Sequence, residues 1–109
     1  MISWKEFEKV DMRVGTIIEA TPFTEARKPA FKLKLDFGPQ IGIKNSSAQI
    51  TELYTPDELN GKQIVAVMNF PPKQIGPFIS ECLVMGIYNK KGIVLIEPNH
   101  QVNNGDKIG

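Results

Sequence analysis

The segment Phe31–Phe37 alternates apolar and polar residues with a strict period of two, and this pattern constrains the fold more than any other stretch of the chain. Successive side chains of a β-strand point to opposite faces, so this period indicates a strand with one buried face and one face in solvent. Lys32 and Lys34 are therefore expected to stand together on the outer face. The positions expected to face a core are Phe31, Leu33, Leu35 and Phe37.

Further strands and one helical turn are predicted around this segment. Residues rich in strand-forming side chains lie at Met12–Ala20, Ile41–Lys44, Gln63–Phe70, Cys82–Tyr88 and Ile93–Glu97. A hairpin turn is expected at Asn89–Gly92 and another turn at Asn104–Gly105. Thr55–Gly61 has an N-cap, a proline at the first helical position and a terminating glycine, which together predict a single helical turn.

This order of elements favours a small antiparallel barrel, because the strands do not alternate with helices as they do in parallel βαβ units. We predict an all-β fold: a five-stranded oligonucleotide-binding (OB) barrel with a short N-terminal helix and a C-terminal extension. A β-sandwich is the alternative. At 109 residues the chain is predicted to form one domain, residues 1–109.

The N-terminal helix is predicted from Ser3 and Glu6, which have the spacing of a capping box, and from Ile2 and Phe7, which are placed as a hydrophobic staple. Its apolar face is large for so short a helix, so it must pack against its own barrel or a second subunit. The C-terminal segment 102–108 is too short to form a core alone. We therefore predict a homodimer whose interface includes Trp4, Phe7, Val10, Val102 and Ile108.

Composition excludes several classes of function. The single Cys82 rules out an internal disulfide and lies in an apolar run, where a core position is the simpler role. The one histidine, His100, is far along the chain, and no Cys/His metal spacing or nucleophile motif is present. Asp11 and Glu81 could be considered as paired catalytic carboxylates, but Asp11 ends a helix and precedes a strand, where a turn or a salt bridge to Arg13 or another cation is the simpler role. We predict no catalytic residue, no metal and no cofactor.

The chain has no N-terminal signal pattern and no apolar run near the roughly 18 residues that span a bilayer. We therefore expect a soluble, cytoplasmic protein without membrane insertion. The net charge of +1 gives no global attraction for nucleic acid, so any such binding must use a local basic patch and should be sensitive to salt.

The densest basic patch joins the connection Ala26–Pro29 to the outer face of the Phe31–Phe37 strand. It holds Arg27, Lys28, Lys32 and Lys34 within nine residues. A solvated strand face is the alternative to a binding role.

A second candidate surface is the loop Asn69–Gly76, which contains two adjacent prolines. Prolines lack an N–H and have a fixed φ, so they stiffen the loop and stop it from continuing the strand as a ladder partner. Lys73 and Gln74 are thus presented at a defined place, and residues 60–80 contain two lysines and no acid. An ordinary proline-rich connection is the alternative.

Several motifs in order resemble the tRNA-binding barrel domain that is appended to some methionyl- and phenylalanyl-tRNA synthetases and found in endothelial monocyte-activating polypeptide. They are Asp11–Gly15, Ala26–Pro29, Pro56–Lys62, Asn69–Lys73 with Gly76, and Ser80-Glu81. Within that family the chain is most similar to the stand-alone CsaA type. That similarity is suggested by Asp36–Gly38, Ile41–Lys44, Ser46–Thr51 and Asn69–Pro72. The resemblance covers nearly the whole chain.

The resemblance implies a homodimeric, non-catalytic barrel that binds tRNA. For the CsaA type it also implies a chaperone-like role toward unfolded or presecretory proteins, with the export machinery as a further partner. A polypeptide-binding export chaperone without an RNA ligand is the alternative.

Two sets of residues are candidates for these roles. RNA binding needs cations for phosphates and polar groups for hydrogen bonds. The candidates are Arg27, Lys28, Lys32, Lys34, Lys44, Asn69, Lys73, Gln74 and Ser80. A chaperone instead needs an exposed apolar groove. The candidates for that groove are Phe70, Pro71, Ile75, Phe78 and Ile79, which in the alternative simply cover the barrel end.

Overall fold

The structure, a computed structural model, describes all 109 residues. It contains two short helices and nine strands. In chain order they are α1 (Trp4–Glu8), β1 (Met12–Pro22), β2 (Phe31–Asp36), β3 (Ile43–Ala48), α2 (Pro56–Leu59), β4 (Gln63–Val67), β5 (Lys73–Ile75), β6 (Phe78–Ser80), β7 (Leu83–Val84), β8 (Gly86–Asn89) and β9 (Gly92–Leu95). Helix α1 begins with the predicted capping box of Ser3 and Glu6. At the start of α2 the Thr55 N–H donates to the Glu58 carboxylate at 2.7 Å.

The main sheet has five antiparallel strands in the order β3-β2-β1-β4-β7. The long β1 pairs with β4 through Met12–Thr16 and with β2 through Thr16–Pro22. A β-bulge at Ile18 separates Ile17, which is buried, from Glu19, which pairs with Lys34. The bulge bends β1, so one strand can serve two parts of a curved sheet.

The sheet closes where β3 meets the segment before β7. The Glu81 N–H donates to the Asn45 carbonyl at 2.8 Å, and the buried Ser46 hydroxyl donates to the Cys82 carbonyl at 2.8 Å. These bonds produce a nearly closed five-stranded barrel, which confirms the predicted OB architecture and excludes the β-sandwich.

The predicted alternation of Phe31–Phe37 is confirmed, because its four apolar side chains are buried in the barrel core. That core also contains Ile17, Ile64 and Leu59. A second, smaller cluster of Met12, Val14, Val65 and Val67 lies on the other side of the sheet.

The N-terminal helix and the C-terminal extension both cover this second cluster. Phe7 and Ile108, two residues expected at a dimer interface, pack against it within the chain. The extension is fixed along β1 by main-chain bonds, such as the 2.9 Å bond from the Ile108 N–H to the Met12 carbonyl. Trp4, with 66% of its surface exposed, does not share this burial.

Three strand predictions need correction. The strand expected at Ile41–Lys44 is observed as β3 at Ile43–Ala48, and it continues through the polar Asn45–Ser47 because the closing bonds satisfy their polar groups. The expected strand Cys82–Tyr88 is divided into β7 and β8 around Met85. The loop after Pro71-Pro72, expected to be irregular, forms the hairpin β5–β6, because Gly76 reverses the chain with a φ of 58° that suits glycine.

Candidate nucleic-acid interface

The outer faces of β1, β2 and β3 present two rows of polar side chains, set by the strand register. One row is Thr21, Lys32 and Ser47, and the other is Glu19, Lys34 and Asn45. Sequence reasoning identified the two lysines and missed the flanking residues. The flanking residues can be identified only from the pairing register of β1 with β2. The bulge at Ile18 shifts this register by one residue, and the sequence does not reveal the bulge.

A groove of about 290 Å³ lies over this face, and we call it the basic groove. Its lining residues are Glu19, Thr21, Lys32, Leu33, Lys34, Asn45 and Phe78. Lys34 Nζ lies 3.5 Å from Glu19 Oε2, and both side chains are more than half exposed. Such an exposed pair contributes about 0–1 kcal/mol, so a ligand can separate it at little cost.

An aromatic pair supports one side of the basic groove. The rings of Phe23 and Phe78 meet edge to face with their centroids 5.3 Å apart, and Lys32 Nζ lies 5.6 Å from the centroid of Phe23. This contact docks hairpin β5–β6 against the connection between β1 and β2. In OB barrels the face of the second and third strands and these two connections form the ligand site.

Acidic charge is also present at this edge. The pKa of Glu25 is held below its ordinary value by a backbone hydrogen bond and by the Thr24 hydroxyl, and Lys32 lowers it further. Glu25 lies beside the hairpin tip, because a Cβ added at Gly76 would be 4.0 Å from its Cβ. The basic groove therefore carries carboxylates near its lysines.

The six predicted RNA-binding cations lie on four elements of the fold, and two of them, Lys32 and Lys34 of β2, line the basic groove. Arg27 and Lys28 lie in the β1–β2 connection, and Lys73 lies on β5. Lys44 pairs with the buried Leu35 on β3, so its side chain faces away from the outer row of Lys34 and Asn45. Among the six predicted cations only Lys34 makes an ion pair within 4.0 Å. Of the others, Lys32 lines the basic groove and Arg27, Lys28 and Lys73 are exposed, so these four can meet an anionic ligand.

The three predicted polar contacts bond to the chain itself. The Asn69 side chain accepts from the Asp11 N–H and donates to the Lys9 carbonyl, which ties the loop to the end of α1. The Ser80 hydroxyl accepts from the Ser47 N–H at 3.2 Å, and the Gln74 amide donates to the Gly76 carbonyl at 3.2 Å. Asn69 and Ser80 therefore have structural roles in fixing the loop that carries Lys73.

A second groove of about 290 Å³, which we call the apolar groove, lies at the base of the hairpin. Its lining residues are Phe70, Pro71, Lys73, Ser80, Cys82 and Leu83, none of which lines the basic groove. Phe70 is 55% exposed and Leu83 is 50% exposed. Sequence reasoning missed Leu83, because an apolar residue of a predicted strand is expected in the core.

The predicted peptide-binding residues are therefore divided among several places. Phe70 and Pro71 line the apolar groove, whereas Phe78 lines the basic groove and pairs with Ile75 across the hairpin. Ile79 pairs with Gln74 on the opposite face of the hairpin and is half exposed. The structure does not bring these five side chains into one groove.

The residues considered for catalysis are engaged elsewhere. Asp11 Oδ1 lies 2.8 Å from Arg13 Nε, the predicted salt bridge, and Glu81 accepts from the Asn45 N–H at 2.9 Å. Burial raises the pKa of the Cys82 thiol to about 11, and Cys82 belongs to the barrel core as expected. No group of three or more His, Cys, Asp or Glu side chains is arranged to hold a metal ion. Neither helix has the length and apolar composition that a membrane crossing requires.

A nearly closed five-stranded barrel with lysines on its second strand and a groove between two connections defines an OB-type binding domain. A family model described as "Putative tRNA binding domain" matches residues 12–107, and the chain belongs to this family. The resemblance seen in the sequence is thereby confirmed.

Solved structures and curated relatives agree with this assignment. The chain is 55% identical to the CsaA chaperone protein of Picrophilus torridus, with a TM-score of 0.95 and both chains covered completely. It is 48% identical to the chaperone CsaA of Bacillus anthracis str. Ames, with a TM-score of 0.93, covering 100% of this chain and 99% of that one. It is 39% identical over 107 residues to the methionine–tRNA ligase of Leptospira biflexa, covering 98% of this chain. The chain spans about 15% of the length of such ligases.

Proposed function

We propose that the chain is a non-catalytic protein that binds tRNA through the basic groove and the cations around it. The observation that carries the proposal is the pair Lys32 and Lys34 on the outer face of β2, in a groove between the two connections that OB barrels use for ligands. Membership of a family of tRNA-binding domains supports it.

The cations around the groove define the kind of binding. Arg27, Lys28 and Lys73 are exposed, extend the positive surface beyond the groove and supply contacts to phosphates. Stacking is limited, because Phe78 is half-buried against Phe23 and offers little free ring face. Binding should therefore follow the backbone of the RNA and weaken steeply with salt.

The test is the salt dependence of tRNA binding by Lys32→Ala and Lys73→Ala. Each phosphate contact that is lost should lower the slope of log K against log salt by about 0.9 in a duplex region. Lys90→Ala is the matched control, because Lys90 is an exposed lysine that lines neither groove. Unchanged affinity and slope in both test variants would contradict the proposal.

A second function is favoured by the apolar groove. We propose that it holds unfolded or presecretory polypeptides before export, with Phe70, Pro71 and Leu83 contacting apolar side chains and Lys73 at the rim. Large half-exposed apolar side chains in one groove suit a ligand of varied sequence. The two solved relatives named as chaperones support this proposal. A polypeptide-binding export chaperone with no RNA ligand remains the alternative.

The chaperone role is tested by aggregation of an unfolded client protein. The chain should delay aggregation at an equimolar ratio of dimer to client, and Phe70→Ser should remove the delay. Ile43→Ser is the control, because Ile43 is 58% exposed and lines neither groove. A wild-type chain without effect on aggregation would contradict this role.

We further propose that residues 1–109 form one cytoplasmic domain that assembles as a homodimer. Trp4 is 66% exposed, and Val10 and Val102 are 38% and 36% exposed, which leaves apolar surface beside α1 and the C-terminal extension. Phe7 and Ile108 pack against the second cluster of the same chain. Sedimentation at micromolar concentration should show a dimer, and Trp4→Ser should shift it toward monomer. Only monomer for the wild-type chain would contradict the proposal.

A further inference from the structure

Glu19 is an unexpected residue on a face that is proposed to meet phosphates. Its carboxylate lines the basic groove and lies 3.5 Å from Lys34 Nζ. The bulge at Ile18 turns Glu19 outward, since without this extra residue the alternation of β1 would point it to the core. The bulge in β1 therefore places the Glu19 carboxylate in the basic groove.

A bound RNA would change the partner of this carboxylate. The Glu19–Lys34 pair is exposed and weak, so a phosphate can take Lys34 from it. An ionised carboxylate accepts hydrogen bonds and cannot donate them, so Glu19 would then face an anion unless the ligand brought its own donors. A ligand that offers donors beside its phosphates satisfies both groups.

Among RNA groups, the edge of an unpaired base supplies such donors. Guanine presents two adjacent donors on its Watson–Crick edge, N1–H and the N2 amino group, which match the two oxygens of a carboxylate. Uracil and adenine set acceptors beside their donors, so they meet a carboxylate less well. Sequence-specific RNA recognition uses these edges in single-stranded segments.

The rest of the groove fits a base. Thr21 and Asn45 also line the groove, and their hydroxyl and side-chain amide can bond to other atoms of the ligand. Phe78 forms an apolar side, and the groove has a volume of about 290 Å³.

We infer that the basic groove takes one unpaired guanine of a bound RNA and that Glu19 is the residue that selects it, while Lys34 is released to a phosphate. This inference rests on the proposed RNA-binding function. It adds a base preference to binding that would otherwise follow the backbone alone.

The experiment compares short single-stranded RNAs by fluorescence anisotropy. The probes are hexauridylate and hexauridylates with one central guanine, adenine or cytosine, and bulk tRNA is titrated in parallel. The wild-type chain should bind the guanine probe about tenfold more tightly than hexauridylate, within the range known for a good two-bond contact to a base. Glu19→Gln should reduce that preference to less than about twofold and should tighten binding of hexauridylate, since a negative charge is removed.

The control and the other outcomes separate the two proposals. Glu8→Gln, an exposed change on α1, should keep the guanine preference. No preference in the wild-type chain, or a preference that survives in Glu19→Gln, overturns the inference. Binding of tRNA without binding of any hexamer overturns the inference and leaves the proposed function standing, whereas binding of neither overturns the proposed function itself.

Discussion

The Ser46 hydroxyl donates a hydrogen bond of 2.8 Å to the carbonyl oxygen of Cys82, and this bond links β3 to the segment that enters β7. Ser46 is the only buried polar residue of the chain, at 1% exposure. The bond lies at the seam where the sheet closes into a barrel. It also fixes the floor of the apolar groove, which Cys82 lines.

Replacement of Ser46 by Ala should therefore destabilise the barrel. The Cys82 carbonyl would lose its shorter hydrogen bond and keep the 3.4 Å bond from the Ser80 hydroxyl, so the loss should cost about 1 kcal/mol of unfolding free energy. Denaturation by urea measures the change. Ser47→Ala is the matched control, because its side chain makes no hydrogen bond, and it should stay within about 0.5 kcal/mol of wild type. Equal effects of the two variants would contradict the role of Ser46.

The buried thiol predicts a loss of stability at alkaline pH. Burial raises the pKa of Cys82 from 9.0 to about 11, so the folded chain keeps the proton that the unfolded chain releases above pH 9. The unfolding free energy should be unaffected by this group below pH 9 and should fall by about 1.4 kcal/mol per pH unit between the two values. Cys82→Ala should remove this part of the decline when both proteins are denatured from pH 8 to pH 11. An identical decline in the variant would exclude the thiol as its cause.

Gly15 should tolerate no side chain. A Cβ at this position would lie 2.6 Å from the Phe37 ring, which is itself buried in the barrel core. Gly15→Ala should cost about 1–3 kcal/mol of unfolding free energy through overpacking. Thermal or urea denaturation of Gly15→Ala, Phe37→Leu and the double variant tests the cause. Leucine at position 37 has no ring to meet the new Cβ, so Phe37→Leu should reduce the loss of unfolding free energy caused by Gly15→Ala. Purely additive effects of the two substitutions would contradict the proposed clash.

Binding of RNA and of polypeptide should be separable by mutation of Lys32 and Phe70, because each of these lines only one of the two grooves, whereas Lys73 is proposed to contact both ligands. Lys32→Ala should weaken tRNA binding and leave the delay of client aggregation unchanged. Phe70→Ser should do the reverse. Both activities are measured on the same preparations, so a variant that loses both would indicate one shared surface.

The sequence predicted the barrel well because its signals are local. The alternation of Phe31–Phe37 and the capping box of Ser3 and Glu6 depend on neighbouring residues, and the structure contains them as expected. The hairpin β5–β6 was missed because a three-residue strand carries almost no periodic signal.

The candidate site was predicted only in part. Lys32 and Lys34 follow from the alternation of their own strand, whereas Glu19 and Asn45 join them through pairing between strands. The structural role of Asn69 depends on Lys9 and Asp11, about sixty residues earlier, and no local pattern encodes such a contact. The half-exposed Leu83 likewise depends on how the barrel closes.

The most direct test of the central claim is a titration of the wild-type chain with bulk tRNA at two salt concentrations. If the lysines around the basic groove bind phosphates, the affinity should be measurable at low salt and should fall steeply as salt is raised. The slope of log K against log salt should be about −0.9 for each phosphate contacted. Absence of tRNA binding at low salt would contradict the account and would leave polypeptide binding as the function to pursue.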